Sequence, residues 1–365
     1  MNDEDNLIKT EETEEEFDFK DEEIIDFKNE EDLEKIKPEI ERIEINNIIS
    51  PKILTKITTI KFTKLEILSL NAIDIPSLDF LNNDNFKALI ILELKNNKIS
   101  SIDKIAQMPF KELKVLDLSF NQLSSIDKLS QSPFKNLEIL VFQGNQLENI
   151  SPISAASFTK LKKLDLSNNK ISSLTSLTNN NSLQYIESLY LSDNTISDIN
   201  ILKNDIFKHL KELQLDSNRI ESIDVFEQSP SADLEELFLY NNMIKDIKAL
   251  SKANFTKLLI LNLGKNQIAD ITPLKDCKFE DLERLDLFDN KIVKIDVLQN
   301  VPFKDIEELD LSYNLIDSIK VLDKFKFEKL KELKLSGNES LNYKGSEVQN
   351  ILDKYNIHYS YDISL

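Results

Sequence analysis

This chain of 365 residues holds 65 Asp and Glu against 45 Lys and Arg, a net charge of −20, so it lacks the basic stripe that binding to a phosphate backbone requires. Its one cysteine, Cys277, excludes an internal disulfide framework and fits a reducing cytosol, and no run approaches the roughly 18 apolar residues of a membrane helix. Two distant histidines, His209 and His358, and four scattered glycines supply neither a metal-ligand set nor a phosphate loop, so no enzyme, metal or cofactor is expected.

The first 46 residues carry a net charge of −14, leaving −6 for the rest of the chain. High charge with few core-forming side chains predicts an acidic, disordered tail over residues 1–39. Within it, FDFKDEEIIDF (Phe17 to Phe27) sets aromatics and isoleucines among carboxylates, which suits either a solubilising tail or a segment that folds onto a partner. The opening MNDEDNLIKTEETEEE has no apolar stretch and the wrong charge for a signal peptide, so a cytoplasmic or nuclear location is expected.

Ile40, Ile43, Ile45 and Phe62 form a degraded version of the unit that follows, and residues 40–64 are expected to cap the stack. From there L-x-x-L-x-L spacing recurs at Leu65, Leu89, Leu113, Leu137, Leu161, Ile186, Leu210, Leu234, Leu258, Leu282, Ile306 and Leu330. The starts are 24 residues apart, with one step of 25 at Ile186. A fixed period of this size predicts a solenoid over residues 65–340.

In each unit a short strand with period-two leucines leads to one polar slot: Asn97, Asn121, Asn145, Asn169, Asn194, Asn218, Asn242, Asn266, Asn290, Asn314 and Asn338. Leaving a buried amide unpaired costs roughly 1–3 kcal/mol. The slot is flanked by core residues on both sides, so it predicts a ladder in which each Asn bonds backbone groups of its own turn and the next. The residue after the second Ile slot is Asp79, Asp103, Asp127, Ser151, Thr175, Asn200, Asp224, Thr272 or Asp296, and is expected to N-cap a helical turn that Pro109, Pro133 and Pro302 stop. Phe62, Phe86, Phe110, Phe134, Phe158, Phe207, Phe255, Phe279, Phe303 and Phe327 predict a structural column, which Leu183 and Ser231 interrupt. Over residues 341–365, Val348, Ile351, Leu352 and Tyr355 read as a capping helix, and Ile357, Tyr359, Tyr361 and Ile363 as a closing strand.

These residues resemble the leucine-rich repeat superfamily. The N-x-I-x-x-I-x-x-L wording, as in Asn266, Ile268, Ile271 and Leu274, is most similar to the phosphatase-regulator and bacterial internalin subclasses, although the units here are longer. The resemblance implies an α/β fold: a right-handed curved solenoid with a parallel β-sheet on the concave face and short helical turns on the convex face.

Residues between the strand leucines should then open onto the concave face. Tyr190, Phe238, Tyr240, Phe288 and Tyr313 have no core role in the repeat, and Asp286 and Asp310 lie among them. Aromatics ringed by charge are the make-up of an interface, and the acidic rim favours a protein partner with a basic surface. L-D-L-S is also default wording for such repeats, so the aromatics are the stronger signal. The expected function is a non-enzymatic protein-protein interaction scaffold, with a regulatory subunit of a phosphatase-like enzyme or an internalin-like surface adhesin as alternatives. Neither nucleic acid nor membrane is an expected partner, and the sequence leaves the oligomeric state open.

Overall fold

In the computed structural model, residues 30–47, 50–81, 84–178, 181–324, 328–341 and 345–354 are described. Every unit opens with a short strand whose alternate leucines point into the core. The strands are β1 Arg42–Asn46, β2 Ile67–Asn71, β3 Ile91–Glu93, β4 Val115–Asp117, β5 Ile139–Val141, β6 Lys163–Asp165, β7 Ser188–Tyr190, β8 Glu212–Gln214, β9 Glu236–Phe238, β10 Ile260–Asn262, β11 Arg284–Asp286, β12 Glu308–Asp310 and β13 Glu332–Lys334. All are parallel and pair in sequence order, giving one open, curved thirteen-stranded sheet among the described residues.

The strands stay short because the chain turns sharply before the ladder asparagine. Asn96, Phe120, Asn168, Asp193, Ser217, Asn241, Lys265, Asp289 and Tyr313 all hold left-handed backbone, with φ between 48° and 55°. Glycine fills that position at Gly144 and Gly337, where a Cβ would lie 2.6 Å from the Phe120 ring and 2.7 Å from the Tyr313 ring.

The ladder asparagines are buried or half-buried, and each ties two units together. Asn266 is representative. Its Oδ1 accepts from Ile244 N–H at 3.0 Å, and its Nδ2 donates to Leu239 O at 2.9 Å and Leu263 O at 3.0 Å. The neighbour held is therefore the preceding turn rather than the following one.

On the convex side most units carry a single turn of 3-10 helix. The α-helical exceptions are α1 (Pro51–Thr59), α2 (Asp103–Gln107), α3 (Ser151–Ala155) and α4 (Ser346–Lys354). The expected caps are displaced by two residues. Asp103, Asp127 and Asp224 are the first residues of their helices, and their N–H groups donate to the hydroxyls of Ser101, Ser125 and Ser222. Asp246 and Asp270 accept in the same way from Lys248 and Thr272. The formal cap is an isoleucine whose side chain the core requires, so an earlier exposed polar residue takes over the hydrogen bond.

The phenylalanines form the inner wall of these turns. Phe110 and Phe134 lie 6.4 Å apart and Phe279 and Phe303 6.0 Å apart, close to parallel. Where Ser231 interrupts the column, Phe226 enters from the helical turn and meets Phe255 edge-on at 5.3 Å, while the Ser231 hydroxyl donates to Phe207 O. Phe327 and the closing strand from Ile357 lie outside the described residues.

At the N-terminal end, residues 1–29 of the expected 1–39 tail lie outside the described residues. Leu33 and Ile36 are 5% and 3% exposed and belong to the core, because the exposed end of the stack needs apolar cover there. In α1, Ser50 accepts from Lys52 N–H, Pro51 opens the helix, and Ile53 and Ile57 turn inward. At the other end Val348 and Ile351 of α4 are buried.

Candidate functional site

The concave face is built from two rows of side chains, one residue per strand in each, and the rows differ between the two halves of the molecule. In the first half, Ile67, Ile91, Val115 and Ile139 line up in register and join Val141 in an apolar cluster separate from the main core. The second row there runs Ser69, Glu93, Asp117, Val141 and Asp165. Burial pushes the Glu93 carboxyl up to about 7, and the charge of Asp117 adds to the shift. Burial likewise holds Asp117 above the usual carboxylate range. Asp165 is pushed up to about 6 by burial; its Oδ1 accepts from Ser167 N–H, and its other oxygen is buried with no hydrogen-bond partner. Carboxyls so placed hold their protons to a higher pH than exposed ones do.

Tyr190 is not the open aromatic that its place between two leucines suggests. It is 6% exposed, its hydroxyl donates to Glu212, and the Lys163 ammonium sits 5.0 Å above its ring. Those neighbours come from β6 and β8, and they cover it on the concave side.

In the second half the first row becomes Glu236, Ile260, Arg284, Glu308 and Glu332, and the second Phe238, Asn262, Asp286, Asp310 and Lys334. A cavity of about 230 Å³ opens between these rows, lined by Phe238, Ile260, Asn262, Arg284, Asp286, Glu308, Asp310, Glu332 and Lys334 above Leu285 and Leu309. Phe238 and Ile260 are half-buried. The carboxylates of Asp286 and Asp310 each have a local duty, since one oxygen accepts the N–H two residues on, from Phe288 and Ser312 respectively, both at 2.8 Å. Asn262 makes the same bond to Gly264 N–H. The D-L-S wording is thus a backbone clasp that leaves one oxygen per residue for other work.

The structure therefore brings Phe238, Asp286 and Asp310 around one cavity. Tyr240, Phe288 and Tyr313 lie outside its lining. Tyr240 is half-buried against Gly264, with Lys265 at 5.9 Å from its ring. Phe288 meets Tyr313 at 5.3 Å, and Tyr313 is 51% exposed. Sequence reasoning missed the concave isoleucines, Ile260 and Arg284 in the cavity, and the exposed Phe120, whose ring faces Lys95 at 5.6 Å. One signal was available for Phe120: a glycine stands one repeat after it, as it does after Tyr240 and Tyr313.

Among the described residues no group of His, Cys, Asp and Glu is placed to hold a metal, and no helix is long and apolar enough to cross a membrane. Burial pushes the Cys277 thiol up to about 12, which suits packing rather than nucleophilic chemistry.

Comparison with known proteins agrees with this geometry. Family profiles match residues 111–171 as "Leucine rich repeat", residues 87–131 and 233–276 as "Leucine Rich repeats (2 copies)", and residues 160–183 as "Leucine Rich Repeat". No curated protein matches the chain. Among solved structures, an internalin of Listeria monocytogenes is 25% identical with a TM-score of 0.68, over 86% of this chain and 87% of that one. A leucine-rich repeat protein of Leptospira interrogans is 20% identical with a TM-score of 0.53, over 88% and 90%. The ectodomain of the Arabidopsis thaliana receptor kinase GASSHO1/SCHENGEN3 shares the fold at 20% identity and a TM-score of 0.51, over 80% of this chain and 40% of that one. Repeat, sheet and helical turns together define a solenoid of the protein-interaction class. This chain belongs to the leucine-rich repeat superfamily.

Proposed function

We propose that this protein is a non-enzymatic scaffold, cytoplasmic or nuclear, that holds a protein partner on the concave face. The observation that carries the reading is the cavity across β9–β13, where a half-buried phenylalanine stands beside Asp286 and Asp310, neither of which forms an ion pair among the described residues. An aromatic anchor in a pocket rimmed by charge is where binding energy concentrates in protein interfaces. The excess of carboxylates over cations in the lining favours a partner with a basic surface.

The test is recovery of partners from native lysate by wild type and by Phe238→Ala/Tyr240→Ala, alongside thermal melts. Binding should weaken by about 2 kcal/mol or more, roughly 30-fold, with little change in the melt. Unchanged recovery with an unchanged melt would remove the concave aromatics from the interface.

A second reading, an internalin-like surface adhesin, draws on the likeness to the Listeria internalin. Labelling of intact cells with an impermeant reagent discriminates the two. A labelled chain supports the adhesin, and protection until lysis supports the internal scaffold.

A further inference from the structure

The lining of the cavity has a charge pattern that selects its occupant. Of its two cations, Arg284 is paired with Glu308 and Lys334 with Glu332. Asp286 and Asp310 stand at one register position on neighbouring strands, and neither joins an ion pair among the described residues. Each keeps Oδ1 on the backbone clasp and, among the described residues, has no hydrogen bond to Oδ2. Phe238 and Ile260 supply an apolar wall beside them. At about 230 Å³ the space is larger than the ~150 Å³ that takes one benzene. It is smaller than the roughly 300–1,000 Å³ of sites for small molecules, so its size is that of one long side chain.

Resting on the concave-face reading, we propose that this cavity receives a single arginine side chain of the partner, its guanidinium bridging Asp286 and Asp310 and its stem lying along Phe238 and Ile260. Residues in register on neighbouring strands are roughly 4.8 Å apart. A planar fork with five N–H donors spans that gap, whereas a compact ammonium serves one side of it. Burial and the charge of Asp310 hold the Asp286 carboxyl above the usual range, the Phe288 N–H and the charges of Lys334 and Arg284 offset part of this, and an arriving cation adds to that offset.

The experiment titrates the full chain, with labelled Ile and Leu methyl groups, against acetyl-arginine methylamide. Capped lysine and capped norleucine serve as comparison probes. The variant is Asp286→Asn/Asp310→Asn, which keeps the fold because Asn262 makes the same backbone clasp with an amide oxygen. The arginine probe should bind at millimolar strength and shift the methyl groups of Ile260, Leu285 and Leu309. Lysine should bind at least about five-fold more weakly and norleucine not at all, and the variant should lose at least about ten-fold in affinity. Absent shifts, equal binding of lysine or norleucine, or undiminished binding to the variant would each overturn the proposal. Partner loss in Phe238→Ala/Tyr240→Ala without any response to the arginine probe would retain the concave face and remove the arginine pocket. A bound probe with unchanged partner recovery would instead remove the concave-face reading, and with it the pocket's role toward a partner.

Discussion

A single asparagine shows how the repeat converts a polar residue into a structural one. Asn218 accepts from Ile196 N–H at 2.9 Å and donates to Leu191 O and Leu215 O, so it satisfies groups on two turns that no strand or helix serves. Replacing Asn218 or Asn266 with Ala should cost roughly 1–3 kcal/mol, because buried backbone groups are left unpaired. The direction of the bonds sharpens the expectation: hydrogen exchange should quicken first at the amides of Ile196 and Ile244, in the unit before the mutation. Wild-type exchange at both amides would contradict the ladder. Phe255→Ala, which opens a hole beside Phe226, should cost roughly 3–5 kcal/mol in the melt. The asparagine slot was legible because apolar residues flank it in every unit. The cover over Tyr190 was not, because Lys163 and Glu212 reach it from other units, and no local pattern states that.

At the scale of the element, the sheet sets Glu93 and Asp165 in one row, and Asp216 follows two residues past the end of β8. Glu93 is pushed up to about 7, Asp165 to about 6 and Asp216 to about 7, in each case chiefly by burial. Unfolded, these groups return to the ordinary range near 4. Between about pH 4 and pH 7 the folded chain therefore binds more protons than the unfolded one, and its stability falls as pH rises. The contribution is complete below the unfolded values and is lost as pH climbs through 6 to 7. Melting at pH 5 should exceed that at pH 8 by a few degrees. Glu93→Gln and Asp216→Asn should each narrow the gap, whereas an unchanged gap would assign it to other groups. The helical turns carry a different lesson. Polar residues near each turn start were readable as caps, but the position was set by the isoleucine that the core claims, which moved the hydrogen bond two residues upstream to Ser101, Ser125 and Ser222.

Over the whole molecule, period and phase were sufficient for the solenoid, because each unit contacts little beyond its neighbours and local wording repeats into global shape. The ends were harder to read, since a cap obeys no period. Leu33 and Ile36 sit in a run dominated by carboxylates, yet they are buried against the first units. A chain beginning at residue 37 should thus melt clearly below one beginning at residue 30, each lost side chain removing about 1.5–3 kcal/mol of apolar burial. Equal melts would return these residues to the tail. The arginine cavity was equally hidden, because its walls come from five successive strands that share a face only after the sheet has formed.

Photocrosslinking in the native cell shows whether a partner protein lies on the concave face. A photoreactive phenylalanine analogue is placed in turn at Phe288 and Tyr313, just past the ends of β11 and β12, and at the exposed Lys275 and Asp296 on the convex turns. We expect a discrete crosslinked partner from Phe288 and Tyr313 and none from Lys275 or Asp296. A partner captured from Lys275 or Asp296, with nothing captured from Phe288 or Tyr313, would place the interface on the convex side instead.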